Sequence, residues 1–101
     1  MNINEFQEQI VRCFELTGQL PGRTAHTKQS ATIHLMEEIG EIARQVTNEY
    51  HRSEKFDKIN LGTELADALI FISLLAKLYD VDLSKEMQQA IIRMEQRANL
   101  I

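Results

Sequence analysis

Two short acidic runs hold the residues best suited to chemistry in this sequence: EEIGE at residues 37–41 and ELAD at residues 64–67. In each run two carboxylates stand three residues apart, Glu38 with Glu41 and Glu64 with Asp67, which on a helix is one turn along the same side. At about 100° per residue with Leu35 as zero, Ile39, Ile42 and Val46 lie within about 40°, Glu38 about 60° to one side and Glu41 about 120°. Glu38 therefore borders the apolar stripe. Glu64 and Asp67 share an arc with Phe71, Leu74, Leu75 and Leu78, so both carboxylates are expected to be largely buried.

Buried, unpaired carboxylates cost several kcal/mol each or take up protons, so something cationic must compensate them. Neither Lys nor Arg falls on the Glu64 arc, and Arg44 points about 120° away from Glu38. If the two helices pack antiparallel with these flanks facing, Glu38, Glu41, Glu64 and Asp67 converge as four hard oxygen donors. Such a set suits Mg²⁺ or Mn²⁺. A di-iron bundle needs Glu-x-x-His, which is missing here, and one Cys with three scattered His makes a poor zinc site. The plain alternative, carboxylates solvated on outer faces, explains one such pair better than two on successive helices.

The elements that must position these residues are helices, since no stretch alternates with period two long enough for a strand. The spacing predicts a first helix from about Asn4 to Thr17, with Phe6, Ile10, Cys13 and Thr17 inward and Gly18 as its stop. A second is expected from near Thr27 to Tyr50, with Ala31, Leu35, Ile39, Ile42 and Val46 as its stripe. Asn60 is the expected N-cap of a third helix reaching Tyr79, whose polar face holds Gly62, Ser73 and Lys77. Asp82 or Ser84 caps a fourth. Short connections favour an antiparallel, four-helix bundle-like, all-α single domain spanning residues 1–101.

With 44% apolar and 26% charged residues the chain folds, but at 101 residues it buries a small share of its surface, so partner subunits are expected. A net charge of −4 argues against binding a nucleic-acid polymer. Cys13 alone forms no internal disulfide and is expected in the core, consistent with a reducing compartment. No basic-then-apolar leader opens the sequence and ALIFISLLA, residues 68–76, is too short to cross a bilayer, so no membrane role and a cytoplasmic location are expected.

Taken together, EEIGE at 37–41, ELAD at 64–67 and the flanking HLMEEIGEIA and ELADALIFISLLAKLYDVDLS resemble the MazG-like all-α nucleoside triphosphate pyrophosphohydrolases over roughly residues 30–85. The resemblance implies Mg²⁺-dependent hydrolysis of a nucleoside triphosphate, such as a non-standard or surplus dNTP, to the monophosphate and pyrophosphate. It places the metal on Glu38, Glu41, Glu64 and Asp67, with Glu37 in support, and one of Glu38 and Glu41 activating water. Relatives assemble as dimers or tetramers, so a homodimer or homotetramer is implied. Candidate phosphate contacts are Lys28, His34, Lys55 and Lys58, with Arg23 nearby. Relatives also carry Lys, then Asn and Arg, late in the last helix, whereas IIRMEQRANLI offers Arg93, Arg97 and Asn99 at another spacing. Phosphoribosyl-ATP pyrophosphatase shares the motifs but follows the second with Tyr-His, where this chain has ALIFISLL. A helical interaction module that keeps the metal site is the remaining alternative.

Overall fold

A side-chain oxygen starts each long helix by accepting backbone N–H groups that the first turn leaves unpaired. In the computed structural model, which describes residues 1–100, Asn2 caps α1 (Ile3–Gly18) and Thr27 caps α2 (Lys28–His51) through a reciprocal box with Ser30. Asp57 caps α3 (Lys58–Leu78) and Asp82 caps α4 (Leu83–Arg97), while a 3₁₀ turn, Ser53–Lys55, joins α2 to α3. The described residues are all-α. The third helix begins earlier than its expected cap at Asn60, because the Asp57 carboxylate accepts from the N–H groups of both Ile59 and Asn60, at 3.0 and 3.1 Å. Asp80, at φ 55°, ends α3 in the left-handed region, and the Val81 N–H returns to the Ala76 carbonyl at 2.8 Å.

The pairing of α2 with α3 is the most extensive in the molecule; α1 lies on α3, and α4 makes its main contact with α1. A hydrogen bond from the Asp57 N–H to Gln45 Oε1, 3.0 Å, closes the end where α2 turns into α3. Little of the chain is fully covered: among the described residues Ala31, Ala68, Leu74 and Ala76 are the buried apolar ones. The radius of gyration is 16.5 Å, where a compact chain of this length has about 13 Å. The accessible surface is 7851 Å², about a third more than the roughly 5,900 Å² of a compact monomer of this mass.

Three expectations about faces are corrected by the packing. Cys13 is exposed rather than in the core, and so is Thr17, because α1 turns Phe6, Gln7, Ile10 and Phe14 toward α3. The ring of Phe14 meets that of Phe71, 6.0 Å between centroids, which fixes this rotation. Ser73, expected on a polar face, is 0% exposed at the crossing with α1, where its carbonyl accepts from Gln7 Nε2 at 3.3 Å. A small side chain there allows the close approach.

The third correction concerns α2 and bears directly on the acidic residues. Ile39 and Val46, expected inward, are 54% and 47% exposed. The residues that α2 covers are Ala31, His34, Leu35, Glu38, Ile42, Gln45 and Asn48, a face whose centre lies about 60° from Leu35, in the direction of Glu38 itself. The apolar arc of Met36, Ile39, Val46 and Tyr50 is left open on the other side. Glu38 is thus central to the packed face and not at its edge.

By length and composition α3 is apolar enough to cross a membrane, with a mean hydropathy of 1.6. Here it packs against both α2 and α1.

Candidate metal and nucleotide site

The register of α2 against α3 decides which side chains can meet. His34 stacks on Phe71, ring centroids 5.2 Å apart and planes 14° from parallel. In an antiparallel pair each step forward on α2 is a step back on α3, so a pairing of 34 with 71 sets 38 level with 67 and 41 level with 64. Gln45, by the same count level with Asn60, is hydrogen-bonded to Asp57, the residue that caps α3 just before it.

Glu64 is 7% exposed and Asp67 half-buried, while Glu38 is half-buried and Glu41 and Glu37 face solvent. Desolvation raises the pKa of the Glu38 carboxyl above its ordinary value, and the negative charges of Glu41, Asp67, Glu64 and Glu37 raise it further. Glu38 is therefore the group on which the acidic residues of both helices act. One oxygen of Glu64 accepts from Asn60 Nδ2 at 3.3 Å, but Glu64 Oε2 and Glu38 Oε2 are buried with no hydrogen-bond partner. Buried carboxylate oxygens without a donor are costly, and a divalent cation is a partner that would satisfy more than one of them. The donor set fits a hard, oxygen-seeking ion. Among the described residues no three His, Cys, Asp or Glu side chains are already drawn together at ligating distance, so the carboxylates are neighbours that a cation would have to gather.

The other residues singled out in the sequence are spread along the bundle. His34 lies one turn from Glu38, with Nδ1 3.3 Å from Glu37 Oε2, and its ring also meets His26 edge-on at 5.1 Å. Lys28 sits at the opposite end of α2, its ammonium 4.5 Å from the centre of the Tyr79 ring and about 15 Å along the helix from Glu38. Lys58 is the first residue of α3, about 9 Å along the axis from Glu64. Lys55 lines a cavity at the C-terminal end of α2 with Arg44. Arg23 is exposed in the loop before α2.

His26, Gln45 and Asn60 belong to this neighbourhood, although the sequence marked Asn60 only as a helix cap and the other two not at all. His26 reaches into the bundle from a loop and touches Phe14, His34 and Phe71. Burial, then the nearby His34, lowers its pKa. A loop residue gives no periodic signal, so His26 was not legible. Gln45 was, since it stands seven residues after Glu38 on the same face.

The sequence matches the model of one protein family, the MazG nucleotide pyrophosphohydrolase domain, over residues 26–101. No curated protein and no solved structure matches the chain. The matched span begins at His26 and takes in α2, α3 and α4, and with them every carboxylate named above.

Proposed function

Since the chain belongs to the MazG nucleotide pyrophosphohydrolase family, we propose that it hydrolyses a nucleoside triphosphate to the monophosphate and pyrophosphate, with Mg²⁺ or Mn²⁺ held by Glu38, Glu41, Glu64 and Asp67. The observation that carries this reading is the pair of orphaned, buried oxygens on Glu38 and Glu64, one from each helix. When bound, the ion supplies positive charge against the phosphates and lowers the pKa of water.

The protein's own residues divide the remaining work. Glu41 faces solvent, so it meets the incoming water and takes its proton, a contribution of about 10²–10⁴-fold. Glu38 holds the centre of the packed face and orients the site, with Glu37 held by His34 beside it. Asn60 fixes one oxygen of Glu64 and leaves the other to point inward. Water's oxygen joins phosphorus as the α–β anhydride bond breaks, and pyrophosphate leaves.

The same reading makes the protein a homo-oligomer in the cytoplasm, acting on non-standard or surplus nucleotides. The apolar arc of Met36, Ile39, Val46 and Tyr50 on α2, together with Leu65, Leu69 and Ile72 on α3, is exposed in the single chain. An apolar surface of this extent favours a second copy. The surface excess over a compact monomer supports that reading.

The experiment is pyrophosphate release from the eight standard nucleotides and several modified ones, with Mg²⁺ and with Mn²⁺. Turnover is expected, and Glu38→Gln and Asp67→Asn are expected to abolish it while the helical circular dichroism stays unchanged. Metal-dependent melting with no turnover on any nucleotide would favour a non-catalytic module instead.

A further inference from the structure

At the C-terminal end of α2 an open cavity of about 620 Å³ is lined by Arg44, Thr47, Asn48, His51, Arg52 and Lys55. Three of these side chains are permanently cationic or nearly so, His51 adds a fourth nitrogen group, and no carboxylate is among them. The chain as a whole carries 15 acidic against 11 basic residues, so an unbalanced basic cavity runs against its composition. Among the described residues the ion pair present is His34 with Glu37, and Arg44, Arg52 and Lys55 form none.

A helix C-terminus attracts cations by itself, which offers a structural reason for basic residues there. That end carries only about half a negative charge, however, and its influence fades within the last turn. Three fixed positive charges exceed it several-fold, and Arg44 stands two turns before the end. Glu41, Glu49, Glu54 and Asp57, the acids nearest in sequence, neither line the cavity nor pair with these cations.

The position relative to the carboxylates is the second observation. Glu37, Glu41, Arg44, Asn48 and His51 follow one another at helical spacings of four, three, four and three, so one stripe of α2 runs from Glu41 into the cavity, Arg44 standing about 60° round the helix from Glu41 and about 120° from Glu38. Arg44 is about 4.5 Å and Asn48 about 10 Å along the axis from Glu41. The guanidinium of Arg44, the amide of Asn48 and the imidazole of His51 follow along that stripe, with Arg52 and Lys55 beyond it, and such N–H donors suit phosphate oxygens.

We propose that this cavity is the anion subsite for the pyrophosphate end of the nucleotide, with Arg44 nearest the metal-binding carboxylates and Arg52 and Lys55 around the terminal phosphate. It rests on the hydrolase reading for the identity of its ligand, but its existence can be tested without turnover. The probe is inorganic pyrophosphate in metal-free, chelator-treated buffer, followed by titration calorimetry at two salt concentrations. Binding that weakens with salt is expected for the unaltered protein and for Glu38→Gln. Arg44→Gln and the double variant Arg52→Gln/Lys55→Gln, all at exposed positions, are expected to lose about tenfold or more in affinity with unchanged thermal melting. In the Mg²⁺ assay the same variants should raise KM with little change in kcat. Equal pyrophosphate affinity in all variants, or no binding by the unaltered protein, overturns the subsite. Selective loss of binding with no turnover on any nucleotide keeps the anion site and removes the hydrolase reading; normal turnover with unchanged KM does the reverse.

Discussion

His34 lies flat against Phe71, and this one stack joins α2 to α3 at the level that brings Glu38 opposite Asp67. Phe14 and His26 close on the same ring from α1 and from the loop before α2. Three separate segments therefore meet on the Phe71 ring of α3, and the register of the acidic pairs follows from where that ring sits.

Replacing Phe71 with Leu keeps apolar bulk but removes the aromatic contacts. A loss of about 1 kcal/mol beyond the change in burial is expected, read from chemical denaturation. Because the register depends on the same ring, metal affinity should fall with it; a variant that loses stability and binds Mn²⁺ unchanged would separate the two roles.

Glu38 gives a pH dependence with a definite sign. Its folded-state pKa is raised, chiefly by desolvation and then by Glu41, Asp67, Glu64 and Glu37. The folded state thus holds this proton more tightly than the unfolded chain, so the contribution to stability is fully present below the ordinary glutamate range. It is lost as pH rises through the raised value. Metal-free protein is expected to melt lower at neutral pH than Glu38→Gln does, and the gap should close on acidification.

Adding the cation should reverse that order. At a free concentration of 100 times its Kd, an ion that binds only the folded state stabilises it by about 2.7 kcal/mol. Thermal melts with Mg²⁺ or Mn²⁺ should rise for the unaltered protein and barely move for Glu38→Gln or Asp67→Asn. No shift with either ion in the unaltered protein sinks the metal assignment.

Asp57 holds the capping role expected of Asn60, while Asn60 bonds Glu64, and two substitutions distinguish them. Asp57→Ala removes the cap of α3 and should cost about 1 kcal/mol of stability. Asn60→Ala leaves that cap intact but frees Glu64 Oε1, so it should weaken metal binding by about 10-fold or more, in the manner of an outer-shell partner, with a small change in melting.

The open arc of α2 predicts the assembly. Val46→Lys places a charge on the exposed apolar stripe and should shift the mass in light scattering toward the monomer. A monomeric mass for the unaltered protein at working concentration contradicts the oligomer outright.

The sequence by itself determined the all-α class, the helices to within a few residues and the family, because periodicity, N-cap residues and the spacing of Glu38, Glu41, Glu64 and Asp67 are local properties written in neighbouring positions. It could not determine which arc of α2 faces α3. The most apolar arc, with Ile39 and Val46, was the natural choice, yet packing turned the helix about 60° and set Glu38 at the centre. The tertiary structure decided this through contacts distant in sequence: the rings of Phe14, His26 and His34 converging on Phe71, and Gln45 bonding to Asp57. Hydrophobicity ranks the faces of an isolated helix, but it does not say whether the apolar one is met within the chain or held open for another surface.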